Sequence, residues 1–361
     1  MRFELDEDRA LLKTSTRELL EKEAALADTR AIMEQTPEGY SKALYAQLGE
    51  LGYPALLLPE DQGGMGAVAF AAVLEEMGRV ALPGPFLDLA VAARVLAGCD
   101  GAEAEAWRQR AAAGEALVVL ARNEDPGCAD PGEPATRCSD GRVSGSKTFV
   151  PFGAHADALL VETCDGLALV ERPGAGWNAT PLETLDHAQR FAEIELDGPG
   201  VLVADPARAA ELLAEAGRLA ALGASALLLG LMERAQEMTL AYTTERQAFG
   251  VPIGSFQTLQ HRCADMMLQT ESTRSAVYRA AWAEECRPEE AAYLVAVAKA
   301  WAGPAGRFVC GQAIQLFGGV GFTWEYDPHI YLKRVKTLEQ FHGSTRTQTA
   351  AALSLSIKQG D

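Results

Sequence analysis

The sequence predicts an α+β protein with helices and strands segregated along the chain. An N-terminal α-helical domain, a middle antiparallel β-barrel-like domain and a C-terminal four-helix bundle are expected. Three observations predict this. Apolar residues recur at helical spacing before about residue 110 and again beyond about residue 205. Between them, short apolar or alternating runs are punctuated by Gly, Pro and Asp, the pattern of brief strands joined by turns. The 361 residues are 48% hydrophobic but only 7% aromatic, and rich in Ala and Leu, which favours helix and supplies core for two or three domains. The expected boundaries are 1–112, 113–200 and 201–361.

Leu11, Leu12, Leu19 and Leu20 place a first helix before Glu21-Lys22-Glu23. A second runs over Ser41 to Leu51, with Leu44, Leu48 and Leu51 on one stripe. Pro59 to Gly66 is a turn-rich loop, followed by a buried helix from Val68 to about Val80. Pro83-Gly84-Pro85 breaks the chain before another helix over Leu87 to Leu96. Strands are expected at Ala116 to Leu120, Arg142 to Val150, Ala156 to Glu162, Leu167 to Glu171 and Phe191 to Leu196. In the last, Ala192, Ile194 and Leu196 share a face. Leu219 to Met232 is apolar almost all round, so it should lie inside a bundle. Phe256, Leu259, Cys263, Met266, Val277 and Ala281 mark a second long helix, and Ala291 to about Phe317 a third.

The net charge of −18 and a pI near 4.8 come with no basic cluster, which excludes a nucleic-acid footprint and disfavours anionic membranes. Seven widely spaced cysteines, with no C-x-x-C pair or metal spacing, read as free thiols in a reducing, cytoplasmic setting. No metal site is expected. Met1 to Asp6 is charged rather than apolar, so no signal core is expected there. No run of about 18 uncharged apolar residues marks a membrane span.

Two segments of the C-terminal third carry chemistry. In Arg246-Gln247-Ala248-Phe249-Gly250-Val251-Pro252-Ile253, continuing to Phe256-Gln257, a charged helix end meets Gly and Pro. An Arg held at such a corner can present its fork to a phosphate; the commoner case for such a corner is a plain helix-helix turn with a solvated Arg. In Gln315-Leu316-Phe317-Gly318-Gly319-Val320-Gly321-Phe322-Thr323-Trp324-Glu325, a helix runs into three glycines. Glycines let backbone N–H groups approach a phosphate or ring, and they also simply stop helices. The pattern is not a Rossmann fingerprint.

In this order, together with Pro59-Glu60…Gly63-Gly64-Met65-Gly66 and Gly145-Ser146-Lys147-Thr148-Phe149-Val150, these segments resemble the acyl-CoA dehydrogenase family over nearly the whole length. The resemblance implies an FAD enzyme that desaturates an acyl-CoA thioester at Cα–Cβ, a base taking the α-proton while hydride goes to flavin. It implies that Arg246 reaches the pyrophosphate of a neighbouring subunit's FAD. Phe249, Phe256 and Gln257 would line the adenine end, and Gln315, Leu316, Gly318 and Gly319 would touch the same cofactor. Phe149 would stack near the flavin ring, and Ser344 would donate to it. Sites shared across chains imply an oligomer, and the family implies an electron-transfer flavoprotein as acceptor.

The departures matter as much. The family's Y-E-G-T segment, whose glutamate is the base, corresponds here to Phe341-His342-Gly343-Ser344. A second position used by some members falls at about Ala220, with Glu215 a little over one turn away. Arg122 to Gly127 replaces a T-E-P loop, and Pro151 stands where a flavin-contacting Thr is usual. Three readings stay open. One is a subunit of a heteromeric α2β2 dehydrogenase of the steroid side-chain type, whose partner supplies the glutamate. Another is a homomeric acyl-CoA or acyl-carrier-protein dehydrogenase with His342 as base. The third is a non-catalytic flavin-binding scaffold. The plainer reading of His342 is a structural histidine that fills the glutamate's space and bonds to backbone. Glu325 is expected to orient the glycine loop. His155, His187, His261 and His329 are expected to be solvated or capping.

Overall fold

The computed structural model describes residues 5–128, 130–172 and 176–359; the first four residues of the charged start lie outside them. Capping side chains set the first helices. Asp6 accepts from the Arg9 amide and opens α1 (Glu7–Glu23). After α2 (Leu26–Gln35), Ser41 accepts from the Leu44 amide and opens α3 (Lys42–Glu50). Then come α4 (Gly66–Arg79), α5 (Phe86–Leu96) and α6 (Ala102–Ala112).

The strands are β1 (Val118–Ala121), β2 (Arg137–Ser139), β3 (Arg142–Pro151), β4 (Ala158–Thr163), β5 (Gly166–Glu171), β6 (Trp177–Leu182), β7 (Phe191–Pro199) and β8 (Val201–Ala204). The long helix α7 (Pro206–Glu245) ends at a two-strand hairpin, β9 (Gln247–Ala248) and β10 (Val251–Pro252). The C-terminal helices are α8 (Gln257–Cys286), α9 (Pro288–Phe317), α10 (Pro328–Gln340) and α11 (Thr345–Gln359). The helix–sheet–helix order is as the sequence predicts.

The chain divides into two compact units. The first comprises Met1–Leu26, Ala71–Leu82 and Ala221–Asp361. Within it α9 packs against α8, α10 and α11. The backbones of α4 and α7 touch: a Cβ on Gly78 would run into the Leu227 carbonyl, and one on Gly230 into the Glu75 carbonyl. α1 is held mainly by charge. Only Thr16 and Leu20 of that helix are buried. Its stripe of Arg9, Lys13 and Arg17 meets Glu285 at 2.7 Å, the buried Glu75 at 2.6 Å and the buried Glu76 at 2.8 Å. Arg274 and the Tyr278 hydroxyl complete the cage around Glu75 and, against the cost of its burial, keep its carboxyl below the usual range. α7 is long and apolar enough to cross a membrane, and it contains the all-round apolar stretch Leu219 to Met232. Yet 78% of that window is buried inside the protein, as expected of a core helix.

The second unit, Ala27–Phe70 and Pro83–Ala220, carries two four-stranded sheets ordered β1-β4-β5-β8 and β2-β3-β7-β6. The expectation of a wholly antiparallel domain needs one correction: β1 pairs with β4 in parallel, Val118 opposite Ala158. The two strands are joined by a long crossover containing β2 and β3 rather than by a hairpin, which permits the parallel sense. The edge strand β6 was missed because none of its residues is buried and it contains Pro181, tolerated only at an edge.

Candidate active site

In the first unit, the end of α7 and the end of α9 meet. Tyr242 stacks on Phe317 with centroids 4.2 Å apart and 12° between planes. Arg246 follows one turn later, its amide bonded to the Tyr242 carbonyl. Beyond it the corner is a β-hairpin, not a plain turn. Its two loop residues, Phe249 and Gly250, both have positive φ, 54° and 79°, as a type I′ turn requires. Phe249 is 96% exposed, with the Phe256 ring edge-on at 6.2 Å. An aromatic in a left-handed conformation and in solvent costs on the order of 1 kcal/mol with nothing local to offset it. Arg246, Gln257 and Gln315 are exposed, and their side chains make no hydrogen bond among the described residues.

The glycine segment separates into two kinds of position. Gly318 ends α9 with φ 68° and ψ −145°, a backbone that disfavours any side chain. Gly318 and Gly319 are exposed, and nothing lies within 4 Å of where a Cβ would be. Gly321 is packed, its Cβ position 2.7 Å from the Ile314 carbonyl. So two glycines leave main chain open to an approaching group, and the third is a packing glycine. Leu316 is buried within the last turn of α9, so it is not set out for a ligand as Gly318 and Gly319 are. Glu325 is exposed and makes no hydrogen bond among the described residues, so it does not orient this loop. His329, expected to be solvated or capping, is buried edge-on to Trp324 at 5.0 Å.

The His342 turn lies between α10 and α11 in the same unit. His342 and Gly343 have φ of 60° and 92°. The Ser344 hydroxyl accepts from the Thr347 amide at 3.2 Å, capping α11, a role sequence reading missed. From α9 the buried Lys299 donates to the Gly343 carbonyl at 2.7 Å and the Glu339 carbonyl at 3.4 Å. His342 keeps some solvent contact by surface area, yet the protein is dense around its ring. That desolvation first, then the Lys299 and Arg334 charges, pushes its pKa down to about 3. Lys299 was detectable: it is a lone cation within the Ala-rich, buried face of α9.

In the second unit, a bulge between Lys147 and Val150 gives Phe149 a φ of 50° and sets it half-exposed, edge-on to Phe191 at 6.3 Å. Below it the buried Lys147 ammonium meets Glu124 at 2.6 Å. Burial alone would raise the Glu124 carboxyl, but Lys147, Thr136 and two backbone amides hold it down to about 2. The lysine is itself pushed down by burial, which outweighs the pairing. The short contact fits the ionised pair. The Thr148 hydroxyl is buried without a partner among the described residues. On α7, Glu215 is tied to Arg94 at 2.9 Å, Ala220 is buried, and Arg122 reaches to 3.7 Å from the Cβ position of Gly217. That segment offers no unpaired acid.

Residues 6–115 match the family described as acyl-CoA dehydrogenase, N-terminal domain, and residues 213–353 match acyl-CoA dehydrogenase, C-terminal domain. The chain is 31% identical over 343 residues to the acyl-CoA dehydrogenase IpdE2 of Mycobacterium tuberculosis, covering 94% of this chain and 92% of that one. The chain belongs to the acyl-CoA dehydrogenase family. It is an oxidoreductase by that membership, and the family's members are flavoproteins. Two solved relatives share the dehydrogenase fold. The Tcur3481-Tcur3483 steroid ACAD G363A variant matches with a TM-score of 0.86 and 28% identity, over 98% of this chain and 99% of that one. The ChsE4-ChsE5 complex from Mycobacterium tuberculosis also gives 0.86 and 28%, over 97% of each.

Proposed function

We propose that this chain is one subunit of a heteromeric acyl-CoA dehydrogenase that desaturates a bulky, steroid-type acyl-CoA thioester, with the catalytic base on a partner chain. The observation that carries this is the surroundings of His342. A neutral histidine must become cationic as it takes the α-proton. At residue 342 that charge would add to those of Lys299 and Arg334, in a desolvated turn. On α7 the nearby carboxylate, Glu215, is committed to Arg94. Both positions where the family places a glutamate are therefore unsuited here to proton abstraction. The pairing of two named chains in the steroid ACAD and in the ChsE4-ChsE5 complex supports a second subunit.

The residues present fit FAD. Arg246 offers an uncommitted guanidinium for a pyrophosphate. Gly318 and Gly319 offer open main chain, and Gln315 and Gln257 offer side-chain amides. Phe249 and Phe256 give apolar faces for a purine, the half-exposed Phe149 gives one for a ring, and the Ser344 hydroxyl, paired with that of Thr347 at 2.9 Å, keeps a hydrogen for the cofactor where Thr347 is the donor of that pair. FAD, when bound, supplies the acceptor for the hydride that leaves Cβ. An electron-transfer flavoprotein is the acceptor that fits next.

The test is co-purification and turnover. A second acyl-CoA dehydrogenase-like chain should co-purify and restore thioester-dependent flavin bleaching, and His342→Ala should leave turnover of the complex within about twofold. Bleaching by this chain alone that disappears in His342→Ala, with the flavin spectrum intact, would establish a homomeric enzyme using His342 and overturn the proposal.

A further inference from the structure

Three residues of α9 spaced one turn apart grip the turn that carries residue 342. Lys299 donates to main-chain carbonyls on both sides of His342, at Glu339 and Gly343. Gly303 lies so close that a Cβ there would stand 3.0 Å from the Glu339 Cγ and 3.1 Å from the Thr345 hydroxyl. Arg307 meets the buried Glu339 carboxylate at 3.3 Å. The i, i+4, i+8 spacing puts all three on one face.

The turn needs such a grip. His342 and Gly343 are successive left-handed residues, and a histidine there costs on the order of 1–2 kcal/mol. A strained backbone persists where the surroundings over-determine it. The last carbonyls of α10 also need donors, and a cation at a helix C-terminus is favourable. Lys299 meets both needs from inside the core, at 0% exposure.

We propose that Lys299 is the positioning residue of this turn: from α9 it locks the main chain on either side of His342 and, as an ammonium held by those carbonyls, places a positive charge beside that side chain. The charge and the grip act separately. The grip sets where residue 342 points. The charge, with that of Arg334, adds to the desolvation that already opposes a proton there. The other charged groups around the turn are Arg307 of α9, paired with Glu339 of α10, and the exposed Arg346 at the start of α11. The proposal deepens the assignment of the base to a partner chain and rests on His342 staying neutral.

The test follows the imidazole signals of the five histidines by NMR in the full chain, with its partner where one co-purifies, and His342→Gln assigns the signal of residue 342. In the wild type that signal should show no protonation above about pH 5. Lys299→Gln keeps a donor for the carbonyls and removes the charge. It should retain slow amide exchange at Thr347 and shift the His342 titration upward by at least tenfold in proton affinity. Lys299→Arg should titrate as the wild type does, and Lys299→Met should both raise the titration and speed exchange at Thr347. An unchanged titration in Lys299→Gln overturns the role of Lys299. If Lys299→Met fails to fold, the Gln and Arg variants decide alone. A wild-type His342 that titrates near neutrality fails differently: it removes the objection to His342 as base and overturns the deeper assignment too.

Discussion

Tyr242 stacks face to face on Phe317 and also directs its hydroxyl to the Phe317 carbonyl at 3.4 Å. One ring pair thereby fastens the corner that carries Arg246 to the loop that carries Gly318. Neither aromatic belongs to the set expected to touch FAD. Tyr242→Ala should therefore weaken flavin binding indirectly. An aromatic pair is worth about 1 kcal/mol, close to a fivefold loss in affinity. Titration of the apoprotein with FAD checks this, and an unchanged Kd would show that the two segments hold their places independently.

Phe249 is expected to matter for cofactor and partner rather than for stability. With 96% of its surface exposed and a φ of 54°, it contributes almost no burial and bears the strain of its turn. Phe249→Asn puts a residue that tolerates left-handed backbone there, and should stabilise the isolated chain by roughly 0.5–1 kcal/mol. The same variant should lose flavin on gel filtration. Thermal melting and the absorbance ratio report the two effects, and a destabilised but fully flavinated variant would refute the assignment.

Gly230 tests the contact of α4 with α7. A methyl group there would collide with the Glu75 carbonyl, which belongs to a helix backbone and cannot rotate away. Gly230→Ala normally gains helix propensity of about 1 kcal/mol. Here overpacking should reverse the sign and cost roughly 2–3 kcal/mol net, measured as a lower urea midpoint. A stabilised variant would mean that the helices part easily.

Acid stability should depend on Glu124. Its folded pKa, about 2, lies below its ordinary value of 4.5. A depressed carboxylate contributes stability above its unfolded pKa and loses it as pH falls through the folded one. The loss should therefore spread from about pH 5 down to about pH 2. Glu124→Gln should flatten that limb of the melting-temperature curve while lowering its plateau, because Lys147 keeps its burial and loses its counter-charge. Parallel acid limbs in variant and wild type would locate the sensitivity elsewhere.

The sequence was most informative where chemistry is local. Apolar periodicity placed α4, α5, α8 and α9 to within a few residues, and the expected helix start at Ser41 falls on the residue that caps α3. The turn at Phe249 was less legible, because the familiar Asn-Gly signal of a hairpin is replaced by Phe-Gly. β6 alternates only briefly, Trp177 and Ala179 against Asn178 and Thr180, and Pro181 argues against a strand. The surroundings of His342 were invisible for another reason. The packing that desolvates it comes from other elements, and so does the Lys299 charge that adds to this, and no spacing rule within 341–346 encodes either. The missing glutamate was plain in the sequence, while the hostility of its place to a proton was a property of the fold.

The parallel pairing of β1 with β4 has a consequence for how the chain is made. Val118 finds Ala158 only after the whole β2–β3 segment has been synthesised, and β5 gains its outer neighbour only when Val201–Ala204 follows. Pairings between distant segments form slowly. On the ribosome, β1 must wait with its ladder edge unfilled, and the first sheet closes just as α7 begins to emerge. A folding helper that shields Val118–Ala121 during that interval would raise the yield of active protein without touching any residue of the finished site.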